Sequence, residues 1–299
     1  TYIGAVGRRL LQSTTVLNPP TNPSVQNGVF VDNTSSSDYH ALQLQFHRRF
    51  GSGVQALASY TLSHSIDDAS AGSYGNPSNR GNPGATDNRG SSDFDIRHGF
   101  TAAVTYDVPS PQFNGIAYTL LGGWSVQNLI LARSAPPVDL SDFTFSLFDS
   151  GISANIRPDL VPGQPLYLSG SQYPGGKAFN PAAFTHPPVD PATGRPLRQG
   201  NVRRNTLRGF GAFQWDFAVH RKFTIHEPFK LEFRAELFNI LNHPNFGPPN
   251  GQFGTTGFGI SDRTLAQNLS GGNPGGGGLS PLYQIGGPRS IQVALKFSF

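Results

Sequence analysis

Three groups of side chains in this chain could do chemistry. Asp67 and Asp68, with Asp87, Asp93 and Asp95, offer carboxylate oxygens of the kind that hold a hard cation. They lack the spacing and the glycine of a calcium loop, and loop carboxylates more often cap turns, so no metal site is assigned to them. His64, with Ser63, Ser65 and Asp67, supplies the residue types of a hydrolase. A triad is defined by geometry, however, and no nucleophile elbow accompanies these residues. Ser63 and Ser65 read more simply as polar residues facing a wet interior. The expectation is a protein that is not an enzyme and takes no cofactor, with a barrel hydrolase kept as an alternative. The third group is aromatic: Tyr74, Phe143, Phe145, Phe148, Tyr167 and Tyr173 lie in long Gly- and Pro-rich connections. Such loops are where contact with a ligand is expected, and packing of loop on loop is their other use.

The elements that must carry these groups are strands. Residues 288–299 (PRSIQVALKFSF) place Ile291, Val293, Leu295, Phe297 and Phe299 on one face and Ser290, Gln292, Lys296 and Ser298 on the other. That alternation defines a strand with one oily and one wet side. A sheet edge left open there is a row of unpaired donors and acceptors, which barrel closure removes and a bilayer forbids. Residues 38–50 and 54–66 alternate in the same way around Gly51-Ser52-Gly53 and predict a hairpin. Residues 98–108 and, less cleanly, 124–133 continue the pattern. Residues 212–225 and 229–241 predict a second hairpin, in which Lys222 faces Glu232 and His220 faces Arg234. Residue 1 already opens on a strand (TYIGAV).

Between these runs the connections alternate between long and short. Residues 7–37, 67–97, 134–211 and 242–287 read as long loops; 51–53, 109–123 and 226–228 are the shorter links. Short turns on one side and long loops on the other are the asymmetry of an outer-membrane barrel. The patterned segments run to about 10–13 residues, the length that crosses a bilayer at a tilt. Tyr39, Phe50, Tyr106, Trp124, Trp215, Phe229, Phe297 and Phe299 stand near strand ends, where interface girdles are expected. Arg221 falls on the oily face, near enough to its end for the stem to snorkel.

Composition agrees. Charged residues make up 13% of the 299 residues, about half the usual soluble share. Phe is abundant at 23 copies, and Cys and Met are absent. A net charge of +4, with no basic tract interleaved with aromatics, gives nucleic-acid binding no support. No run reaches the roughly 18 apolar residues of a helical span, so a membrane role runs through strands. The start shows neither a basic n-region nor an apolar h-region, and the chain reads as the C-terminal part of something longer.

The segments SDYHALQLQFHRRF, ASYTLSHSIDDAS, SSDFDIRHGFTAAVTYDVP, LLGGWSVQNLI, FNPAAF, RAELFNILNHPNFGPPN and IQVALKFSF, in that order, resemble the C-terminal barrel portion of TonB-dependent outer-membrane receptors. The nearest likeness is to the Oar-like group, whose members carry a carboxypeptidase-regulatory-like domain. NILNHPN (239–245) and DFDIRH (93–98) are the more specific parts. The resemblance implies an all-β fold: about eight C-terminal strands of a transmembrane antiparallel barrel, about 22-stranded in full, with long extracellular loops. Residues 1–299 would be one barrel segment, with plug and N-terminal domain absent. The implied function is pore wall and extracellular binding loops of a receptor that takes up a large or scarce ligand. The implied partners are outer-membrane lipid, the barrel-assembly machinery through the last strand (Ile291, Val293, Leu295, Phe297, Phe299), TonB through the missing N-terminal part, and an extracellular ligand. The alternative is a self-contained eight-stranded barrel serving as adhesin or anchor, which requires the first strand to pair with the last.

Overall fold

The computed structural model describes residues 1–17, 27–51, 53–68, 70, 88–109, 122–145, 156–192, 194, 196–226, 228–269 and 285–298. Eight long strands dominate: β1 (Tyr2–Leu17), β2 (Asn27–Arg49), β3 (Val54–Asp67), β4 (His98–Asp107), β5 (Trp124–Arg133), β6 (Ala212–His226), β7 (Phe229–Phe238) and β8 (Ser290–Ser298). Each pairs antiparallel with its neighbour in sequence, from β1 across to β8, and the short segment Gly90–Ser91 adds to the end of β3. Among the described residues no pairing joins β1 to β8, so the sheet is an open wall. The self-contained eight-stranded ring, which depends on that pairing, lacks it here.

Register fixes which side chains share a face. One continuous rung runs Ala56, Val104, Asn128, Phe217, Leu237, Ile291. The next, shifted by one residue, runs Gln55, Thr105, Gln127, Ala218, Glu236, Gln292. Because successive side chains point to opposite faces, the first rung belongs to an apolar outer face and the second to a polar inner one. Asn128 is the outward exception, and the outward Trp215 answers it by donating its indole N–H to the Asn128 Oδ1 at 3.0 Å. The second hairpin has the expected register, His220 opposite Arg234 and Lys222 opposite Glu232.

The apolar face is not buried by the chain itself. On β8, Ile291, Val293 and Leu295 are 64%, 62% and 69% exposed. A continuous apolar face of this extent is stable against hydrocarbon, not water. The strand ends at Arg49 and Val54, at Asp107 and Trp124, and at His226 and Phe229 sit at one end of the wall; those at Leu17 and Asn27, Asp67 and His98, Arg133 and Ala212, and Phe238 and Ser290 sit at the other, extracellular, end.

Two expectations need correction. Residues 7–37 do not form a long loop: β1 and β2 stay paired out to Leu17 opposite Asn27, with irregularities near Gly7 and Leu10. The 23 residues of β2 would extend about 75 Å, against a hydrocarbon core of about 30 Å. Beyond the bilayer a ribbon needs no oily stripe, so polar Ser, Thr and Asn can hold the ladder without the alternation that marks a lipid-facing strand. Tyr39 pairs with Ser65 and shares the inward face of Gln43 and Gln45, so it does not join an outward girdle. At the opposite end the girdle reading fares better. Phe229 stacks on Phe297 at 5.7 Å, and Arg221 lies over the rings of Trp124 and Phe223 at 5.7 and 4.3 Å. Cation–π contact accounts for an arginine on the oily face. Phe299 lies outside the described residues.

Candidate functional site

The conventional core of this molecule is not in the sheet but above it. Val138, Leu140, Phe179, Phe184, Leu207 and Phe258 are all buried together, drawn from the connections between β5 and β6 and between β7 and β8. One short pairing, Gln252–Phe253 with Ser141–Asp142, stitches the two connections together, and another, Leu207–Arg208 with Pro137–Val138, closes the first connection on itself. Phe258 sits at the centre, its ring 5.4 Å from Phe253, 5.6 Å from Phe184 and 6.1 Å from Phe179. What reads in sequence as a long extracellular loop is a folded cap.

The cap is fastened to the rim of the wall by arginines meeting the aspartates first considered for a cation. The Arg204 side chain, 6% exposed, reaches Asp67 Oδ1 at 2.5 Å and Asp93 Oδ1 at 2.9 Å. Burial disfavours its charge, but Asp67 and Asp93 outweigh this and hold its pKa above the ordinary arginine value. Asn205 donates to Asp93 Oδ1 at 2.6 Å and to the Ser91 carbonyl at 2.7 Å. Arg208 donates to Asp95 Oδ2 at 2.6 Å and to the Asp95 carbonyl at 2.7 Å. Burial pushes the Asp95 carboxyl up, but Arg208, the Ser65 N–H and His64 together hold it below the usual carboxylate range. Gly90 permits the close approach, since a Cβ there would stand 2.6 Å from the Arg204 carbonyl oxygen. Asp68 accepts from the Ser36 N–H and hydroxyl at 2.8 and 2.6 Å. Asp87 lies outside the described residues, and among those described no group of His, Cys, Asp or Glu could hold a metal ion.

The hydrolase letters come apart in space. Ser63 and Ser65 share the inward face of β3, whereas His64 points to the other. Ser63 Oγ donates to the Ile96 carbonyl at 2.7 Å and Ser65 Oγ pairs with Ser92 Oγ at 2.7 Å. His64 Nδ1 meets Asp95, not a serine.

The loop aromatics divide. Tyr74 and Phe148 lie outside the described residues. Phe143 is 44% exposed on the cap. The Phe145 ring packs edge-on against His186 at 5.7 Å. The His186 Nδ1 in turn lies 2.6 Å from a carboxyl oxygen of the fully buried Asp142. The Tyr167 hydroxyl accepts from the Arg208 N–H at 2.9 Å. The Lys177 Nζ rests over the rings of Tyr167 and Phe210 at 5.0 and 5.1 Å and donates to the Gly209 carbonyl at 2.6 Å. Burial holds that ammonium below the usual lysine range. Tyr173 lines an open cleft of about 430 Å³ with Leu168, Phe179, Phe253 and Thr255, a size suited to a small apolar group. A second cavity, of about 300 Å³, opens on the inner face of the wall beneath the cap.

The two distinctive segments of the sequence prove to be anchors of this assembly. DFDIRH supplies Asp93 and Asp95. In NILNHPN, Asn239 and Asn242 adopt left-handed backbone (φ 49° and 51°), which asparagine tolerates better than most residues. Asn239 Nδ2 donates to the His243 and Gly287 carbonyls at 2.9 and 2.8 Å. Asn245 brackets Phe213 of β6, accepting from its N–H at 2.8 Å and donating to its carbonyl at 2.9 Å. The residues that sequence reasoning missed are Arg204, Asn205 and Arg208. The signal was a basic run, Arg198 to Arg208, in a chain otherwise poor in charge.

An apolar outer face, a polar inner face, short turns at one end and a folded cap at the other define an outer-membrane β-barrel wall. Residues 1–272 match the family described as outer membrane beta barrel domain, and the chain belongs to that family. Its place is the bacterial outer membrane, in contact with the lipid there. No curated protein matches the chain. Among solved structures, the outer membrane transporter YddB from Escherichia coli is similar, with a TM-score of 0.48 and 10% sequence identity over 98% of this chain. The chain spans 29% of the length of that structure.

Proposed function

We propose that this chain is the C-terminal barrel segment of a TonB-dependent receptor of the Oar-like group, forming pore wall and ligand-receiving cap for uptake of a large or scarce solute. The observation that carries the reading is the cap: two long extracellular connections share one apolar core and are held to the rim by buried ion pairs, which gives a shaped surface over the inner face. Binding and passage, not catalysis, are the work assigned to it. The plug and the segment that engages TonB belong to the rest of the protein. The outward residues of β8, from Ile291 to Phe297, are assigned to the barrel-assembly machinery. Tyr173 and the exposed Phe143 are the cap aromatics best placed for ligand.

The test compares bacteria carrying the parent gene with a deletion strain, following solute depletion from rich medium by mass spectrometry, with and without a protonophore. A depletion difference that the protonophore abolishes is expected. A difference indifferent to the protonophore overturns energy coupling, and no difference for any solute overturns the receptor reading.

A further inference from the structure

Arg133 ends β5 on the inner face of the wall, facing the cavity of about 300 Å³ beneath the cap. Its two cross-strand neighbours are Gly99 on β4 and Ala212 on β6, the smallest available. A Cβ added at Gly99 would meet nothing within 4 Å, so the space beside the guanidinium is open. Arg97 precedes Gly99 by two residues, and its carbonyl accepts from the Ser63 N–H at 2.9 Å, continuing the ladder. Its neighbour Ile96 lines the cavity, and Arg97 itself does not. The Nε of Arg133 and the Nη1 of Arg97 are each closed off from solvent without a hydrogen-bond partner. Among the described residues no ion pair reaches either side chain. The nearest inward carboxylate on β6, Asp216, is engaged by Gln214 and by the Asn239 N–H.

Two half-buried cations without a counter-charge are costly, and their surroundings suggest what would offset them. The cavity also presents the side chains of Ser59, Thr61 and Thr101, while Ile96, Leu131 and Ile285 give it apolar walls. We propose that Arg133 is an anion-binding point on the inner wall, taking the oxyanion of a solute whose apolar body occupies the cavity, with the charge of Arg97 nearby adding to the attraction. Guanidinium recognises carboxylate and phosphate-type oxygens through paired N–H donors; hydroxyls supply further donors, and the apolar walls reject a bare ion. The site would serve the uptake proposed above, and its purpose rests on that reading, though its chemistry does not.

The probes are 4-fluorobenzoate and its neutral amide, followed by fluorine saturation-transfer NMR on the folded full chain in a non-ionic detergent. Binding of the benzoate, weakened by salt, and not of the amide is expected. Arg133→Gln should lower benzoate affinity at least about tenfold; Arg133→Lys should retain part of it. Gly99→Leu, which leaves both arginines in place and fills the space, should block binding. Equal binding of the amide, or benzoate affinity unchanged in Arg133→Gln, overturns the site. Benzoate bound by this chain but excluded from the full-length protein assigns the arginines to an internal carboxylate and overturns the solute. Intact benzoate binding beside a failed uptake test leaves the site standing and removes only the transport reading.

Discussion

Leu44 on the wall and Leu197 on the cap are exposed to nearly the same extent, 53% and 55%. Leu44 belongs to the apolar outer face, continued across the ladder by Tyr60 and Phe100, whereas Leu197 lies on the cap, its N–H bonded to the Pro188 carbonyl. The same fractional exposure therefore means immersion in hydrocarbon for one and in water for the other. The cap follows the rule of a soluble domain, apolar inside; the wall inverts it. One chain folds by both rules because the solvent changes along its height.

Substitutions can break or sharpen that contrast. Phe179→Ala should be the most damaging, costing the cap about 3–5 kcal/mol, since Phe179 is 1% exposed among Tyr167 and Phe258. Limited proteolysis should then cut the cap while heat-modifiable gel mobility shows the wall intact. Simultaneous loss of both would mean that cap and wall are a single cooperative unit. Next comes a matched pair: Leu44→Arg should cost about 2–4 kcal/mol if it sits near the bilayer midplane, whereas Leu197→Arg should stay within about 0.5 kcal/mol. Denaturant titration in lipid vesicles reads both, and equal costs would refute the two-solvent view.

A smaller effect is expected from acid. The Asp95 carboxyl is held low in the folded state by Arg208, the Ser65 N–H and His64 against the opposing pull of burial. Its contribution is therefore complete above its unfolded value near 3.8 and is lost as pH falls through the lower folded value. Protease cutting of the cap should rise below about pH 4, and Asp95→Asn should remove that acid-dependent step. The smallest change belongs to the inner wall: Glu232→Gln, opposite Lys222 in a wet interior, should shift stability by less than about 1 kcal/mol.

Wall and cap also differed in how far the sequence disclosed them. The strands were legible because alternation is local: Leu42, Leu44 and Phe46 announce their face within five residues, and β6 pairs with β7 in the expected register, Lys222 opposite Glu232. The ribbon beyond the bilayer was not, because Ser, Thr and Asn pair as well as Val when no lipid selects the face. The cap was hidden for a different reason. Arg204 and its partner Asp67 lie 137 residues apart, and nothing near either residue names the other. Of the candidate ligand aromatics, Tyr167 accepts from the Arg208 N–H inside the cap, while Asp67, Asp93 and Asp95, weighed for a cation, meet arginines.

The neighbour-by-neighbour order of the wall carries an evolutionary corollary. Where each strand bonds only to the one before and the one after, a hairpin can be duplicated or deleted and the seam rejoined without disturbing any other contact. The circumference of such a structure is thus free to vary in steps of two strands. The overlying lid has no such freedom: its stitches join the connections after β3, β5 and β7, so a change in girth must be matched by a redrawn lid, and pore size and recognition are bound to change together.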